Sequence, residues 1–164
     1  MKALSLTPPW SEMILYHSKK IENREKWKGC SYRGPILLHA AKGIGTRLGF
    51  DNRVIQMRQD MAVDCEALGY VISDRKKGYC YAPSATMLRA GIVGRARIDG
   101  VIREERDFAA YASNVSGGEE QRRWWFGGFA LVLADVEPLP FVPVRGELGF
   151  FNVEYPFHQF GIQP

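Results

Sequence analysis

Along the chain, short runs of alternating or solid apolar character are cut apart by turns rich in glycine and proline. "KALSL" (2–6) predicts a short strand. Thr7 is a good N-cap and Pro8 suits the first helical position, so a helix should run through "WSEMILY". Met13 and Ile14 sit at helical spacing from Trp10, and the helix should stop near His17–Ser18. "KIENREKW" alternates, with Ile21, Asn23 and Glu25 on one side and Glu22, Arg24 and Lys26 on the other, which predicts a strand. "ILLHAA" (36–41) reads as a buried strand. From Arg53 to Leu68, apolar residues recur at three or four positions (Val54, Met57, Met61, Cys65, Leu68), the period of an amphipathic helix. "SDRKKGYCYAPSAT" is polar and turn-prone and predicts an exposed loop.

In the second half, "AGIVGRARIDGVI" (90–102) alternates as a strand with one wet face. "EERDFAAYAS" predicts a short helix, "NVSGGEEQRR" a polar loop, "FALVLADVEPLP" a strong strand, "VPVRGELG" a turn and "FFNVEY" a last strand. Six short strands with two or three helices predict an α+β fold: a small, curled, mixed or barrel-like sheet with helices outside. Strands and long helices do not alternate, which excludes a doubly wound nucleotide fold. With 164 residues and no repeat or linker, a single domain over 1–164 is expected.

Composition changes this picture little. Apolar residues make up 46% and charged residues 24%, ordinary values for a globular chain. No apolar run approaches the roughly 18 residues of a membrane span. "MKALSLTPPW" is broken by proline too early for a secretory signal, so a cytoplasmic protein without a membrane role is expected. Cys30, Cys65 and Cys80, like His17, His39 and His158, are scattered without disulfide or zinc-ligand spacing. No metal or cofactor is expected.

Charge changes it more. Residues 1–58 carry 11 Lys/Arg against 4 Asp/Glu, a net +7, whereas 59–164 carry 11 against 14, a net −3. A basic half on a chain of net charge +4 suits phosphate, the source of sequence-independent nucleic-acid affinity. Solubility alone is the plainer reading. Much of that charge lies in "HSKKIENREKW" (17–27).

"SLTPPW" followed by "HSKKIENREKW", "YRGPILLHAAK", "AGIVGRARIDGV" and "WWFGGFALVLADVEPLPFVPVRGELGFFNV" resembles the ASCH family, the activating-signal-cointegrator homology domain. The resemblance covers nearly the whole chain and is weakest over about 43–85. On the family motif G-x-K-x-x-E-x-R, Lys19, Glu22 and Arg24 match, and His17 stands where glycine is expected. The resemblance implies a PUA-like fold, a small β-barrel with flanking helices, and an RNA-binding cleft beside the motif. Some members hydrolyse acylated cytidine nucleosides and some cleave single-stranded RNA. The acyl-cytidine hydrolases carry threonine where this chain has Glu22.

Two function classes therefore stay open. In the first, the protein binds RNA, a nucleotide or a nucleoside. If 20–26 is a strand, Glu22 and Arg24 share a face with Lys19 at its entrance. Lys19 and Arg24 would then engage phosphate or base carbonyl oxygens, and Glu22 would read an amine edge. Trp10, Trp27 or one of the Trp124–Trp125 pair would stack on a base; if that pair is extended, one ring points inward and the other outward. Arg33, Lys42, Arg95 and Arg97 would extend a cationic track, with Ser11 and Asn152 as minor polar candidates. His39 is either a proton-transfer group or a satisfied histidine on a half-buried strand. In the second class, the protein is a metal-independent hydrolase with Lys19 as base and Glu22 as its partner.

Overall fold

The fold is described from a computed structural model covering residues 1–8, 10–24, 27, 30–43, 71–74, 78–81 and 87–164. Its strands are β1 (Lys2–Leu6), β2 (Ile21–Asn23), β3 (Gly34–Ala40), β4 (Val71–Asp74), β5 (Gly78–Tyr81), β6 (Gly91–Ile102), β7 (Ala130–Pro143) and β8 (Phe150–Asn152). The described α-helices are α1 (Trp10–Tyr16) and α2 (Glu105–Asn114). Six strands form one sheet in the order β2-β7-β6-β3-β1-β8, and β4 and β5 pair apart from it. This is an α+β domain with a mixed sheet.

The long strands set the curvature. β6 and β7 run antiparallel from Gly91–Pro143 to Ile102–Ala130, with register shifts at three places, and β3 shifts against β6 at Leu38/His39. Each irregularity bends the ladder and raises its twist. The expected barrel thus takes the form of a bent open sheet, whose edges are β2 and β8.

The only parallel pair among the described residues is β1 with β3, in a register that sets Ser5 opposite His39. A parallel pair needs a crossover, and here it contains α1. Leu4, Leu6, Ile36, Leu38, Ile98, Phe129 and Leu131 are buried together between these layers. A second cluster joins Met13 and Ile21 to Phe108 of α2 and to Trp124 and Trp125. A third packs Leu37 and Ile92 against Phe151, Tyr155 and Phe157 near the C-terminus.

Several expectations need correction. Part of the polar 73–86 segment, expected as a loop, is strand: β4 pairs antiparallel with β5, Ile72 opposite Cys80. The β-prone pairs Val71–Ile72 and Tyr79–Cys80 outweigh the charged residues between them. Residues 119–124, expected as loop, form a 3₁₀ turn. Trp124 and Trp125 consequently do not alternate: both are buried, with Trp125 stacked on Phe108 at 5.2 Å and its Nε1–H donating to the Gly128 carbonyl at 2.9 Å. Ladder pairing of β2 stops at Asn23, while Glu25, Lys26 and the helix expected over 53–68 lie outside the described residues.

Candidate functional site

α1 ends by turning through Ser18, whose φ of 57° is left-handed, and the Lys19 amide reaches back to the Met13 carbonyl at 3.2 Å. Ser18, and not His17, carries the left-handed conformation, so histidine meets no backbone penalty at the position where the motif has glycine. The turn drives Lys19 inward, where it is 1% exposed. Its ammonium donates to the Ile21 carbonyl and, at 3.0 Å, to Glu22 Oε2, and lies 5.6 Å from the Trp10 ring centre. Burial pushes the Lys19 ammonium below its usual pKa, while the Glu22 carboxylate pulls it back up.

Glu22 is fixed on β2 opposite Leu131, with its side chain 10% exposed. Its other oxygen, Oε1, pairs with Arg24 Nη2 at 3.2 Å. Arg24 keeps strand-like register because its amide donates to the Phe129 carbonyl at 2.8 Å. The same Nη2 donates to the Ser5 carbonyl at 2.5 Å, and the guanidinium lies 5.2 Å from the Trp27 ring centre. Lys19, Glu22 and Arg24 therefore form a chain of ion pairs running from the interior outward. Arg24 is the member that reaches a surface concavity.

That concavity is a groove of about 740 Å³ between the end of β1, the end of β3 and the segment following β7. Arg24, Lys42 and Arg145 supply three cations to its lining, against one carboxylate, Glu147. Ser5, Thr7 and His39 contribute further polar side chains. His39 is buried, its ring edge-on to Phe151 at 5.6 Å. His39 Nε2 lies 2.9 Å from the Val144 carbonyl and Nδ1 lies 3.0 Å from Ser5 Oγ. Both ring nitrogens therefore have a partner within the protein. A smaller hollow of about 500 Å³ adjoins at Gly149, walled by Trp27, Tyr32 and Phe150, with Lys2 over Tyr32.

The sequence-predicted residues divide accordingly. Arg24, His39 and Lys42 line the groove, and Trp27 stands beside it beneath Arg24, packed on Phe150 at 4.8 Å. Lys19 and Glu22 come together but face each other and Arg24, not the groove. Lys19 is enclosed by the Ile21 carbonyl and Glu22 and does not line this groove. Trp10 is half-buried, edge-on to Phe126 at 6.5 Å and under the Lys19 ammonium, again off the groove. Trp124 is 1% exposed in the second core cluster and leaves no face for a base. Arg33 is exposed and donates to its neighbour's carbonyl, Tyr32 O, at 2.8 Å.

Arg95 and Arg97 are answered by Glu137, Asp99 and Asp135 and add nothing to a cationic track. Ser11 is buried with its hydroxyl unpaired, and Asn152 is exposed on edge strand β8. Sequence reasoning missed Ser5, Arg145 and Gly146. Ser5 joins the site through the parallel pairing of β1 with β3, which sets it against His39.

The class defined by these elements is an α+β domain whose bent mixed sheet carries a cationic groove supported by a buried ion-pair chain. No family model matches the chain, and no curated protein does. Among solved structures, the chain is similar to ASCH from Zymomonas mobilis at 13% identity and a TM-score of 0.47, covering 96% of this chain and 90% of that one. A serine-to-alanine variant of that Zymomonas mobilis protein is similar at 10% identity and a TM-score of 0.46, covering 97% of this chain and 92% of that one.

Proposed function

We propose that the protein binds RNA or a phosphate-bearing nucleotide in the groove, with Arg24 as the anchoring cation. One observation carries this reading: Arg24 is held on one side by Glu22 and the Ser5 carbonyl while it lines a groove shared with Lys42 and Arg145. A guanidinium fixed in this way loses little side-chain entropy on meeting an anion, and its planar fork suits phosphate. Glu22 and Lys19 serve as positioning residues behind it, and Trp27 offers a half-buried ring edge where the groove meets the aromatic hollow.

The hydrolase alternative based on Lys19 gains no support from this arrangement, because its ammonium is enclosed by Ile21 and Glu22. The test is a calorimetric titration with AMP and CMP and an anisotropy titration with a short single-stranded RNA, each at several salt concentrations. The expected result is saturable binding that weakens as salt rises and falls at least about 10-fold in Arg24→Gln. Absence of saturable binding, or equal affinity in Arg24→Gln, would overturn the reading.

A further inference from the structure

We infer that Ser5 is an acyl-accepting nucleophile activated by His39. The geometry selects one tautomer for the neutral His39 ring. A carbonyl oxygen can only accept, so the 2.9 Å contact between His39 Nε2 and Val144 O places a hydrogen on Nε2. In the neutral ring Nδ1 then carries the lone pair, and the 3.0 Å contact with Ser5 Oγ is a bond donated by the hydroxyl. This is the protonation state that a general base paired with a serine requires. The Val144 carbonyl fixes the tautomer and would accept from the imidazolium once it forms, the part usually taken by a carboxylate.

Access and charge fit the same role. Ser5 is half-buried on the groove wall, and His39, buried and edge-on to Phe151, lines the same groove beside it. Gly146 lies against both: a Cβ there would overlap the His39 ring and come within 2.8 Å of Ser5 Oγ. Glycine at that point lets the segment after β7 approach the pair without a clash. Arg24, bonded to the backbone carbonyl of Ser5, sets a fixed positive charge on the lining of the same groove.

The step balances without a further reagent. Ser5 Oγ attacks an acyl carbonyl carbon as its proton passes to His39 Nδ1, and the O–C bond forms. Collapse of the tetrahedral adduct breaks the bond to the leaving oxygen or nitrogen, which takes the proton back from Nδ1. Water, deprotonated by the same nitrogen, then releases the acid and restores the hydroxyl. The substrate class is an ester or amide on a molecule bearing an anionic group. That anionic requirement rests on the phosphate-binding reading of the groove, whereas the nucleophile does not.

The test is incubation with a fluorophosphonate, followed by intact mass and peptide mapping, with fold checked by circular dichroism. The expected result is a single adduct on Ser5, absent in Ser5→Ala and formed at least 100-fold more slowly in His39→Gln. No adduct on Ser5, or an equal rate in His39→Gln, would overturn the proposal. If His39→Gln does not fold, Ser5→Cys decides: iodoacetamide should alkylate position 5 well below the pH at which a free thiol ionises, about 8.5. An ordinary thiol profile there would overturn the assignment. AMP titration of the wild type reads the groove separately, so the two failures can be told apart.

Discussion

Two sets of ion pairs differ in how deeply they are buried. In Lys19–Glu22–Arg24 the first two side chains are 1% and 10% exposed. On the β6–β7 ladder, Arg97 pairs with Asp99 and Asp135 with the arginine 43% exposed, and Arg95 pairs with Glu137 nearby. The residue types are alike, but the surroundings reverse their meaning. In water, two opposite charges gain little by meeting, because the solvent already screens each. In the interior, neither ion has water to return to, so removing one partner strands the other. The inner set consequently fixes geometry, and its outermost member, Arg24, inherits that rigidity at the groove.

The comparison can be broken most sharply at its innermost residue. Lys19→Ala should lower unfolding free energy by about 3–5 kcal/mol in a chemical-denaturation titration, since Glu22 would lose its buried ammonium. A loss no larger than that of a surface substitution would erase the contrast. Next in size, Arg24→Lys should weaken AMP binding by about 10-fold with the fold intact, because an ammonium cannot hold Glu22 and the Ser5 carbonyl in one plane while also meeting phosphate. Calorimetry at fixed salt measures it.

A smaller effect concerns pH. The Lys19 pKa in the folded state lies below 10.5, so between that lowered value and 10.5 the unfolded chain binds more protons. Its contribution to stability should therefore grow as pH rises through this window and stay level on either side of it. Wild type should gain stability relative to Lys19→Met over that interval, as read from denaturation midpoints. The least effect belongs to the outer set: Arg97→Ala should leave the thermal midpoint unchanged within error, measured by calorimetric scanning.

Much of the fold was legible because its strands are punctuated by turns. "KALSL" is β1 to the residue, and the alternation of 90–102 and the apolar run at 130 gave β6 and β7. The pairing of β4 with β5 was missed because the charges of "SDRKKG" outweigh, to the eye, the short β-prone pairs on either side. Trp124–Trp125 was misread because a 3₁₀ turn abolishes alternation. For the site, the motif led to Arg24, but residue type could not say that Lys19 and Glu22 point inward. Lysine and glutamate are almost never fully buried unless paired, and pairing is a tertiary fact. Ser5, Arg145 and Gly146 meet only because β1, β3 and the chain after β7 converge in space. No local pattern encodes that.

The two outermost strands of the main sheet, β2 and β8, are each three residues long, whereas β6 and β7 run for 12 and 14. Unpaired amides and carbonyls on a sheet margin invite another chain to dock and extend the ladder. Here the margins are stubs, and the lengthy ribbons that would make an adhesive template are sheltered in the middle. Sheet-by-sheet accretion into fibres finds little to grip on either flank.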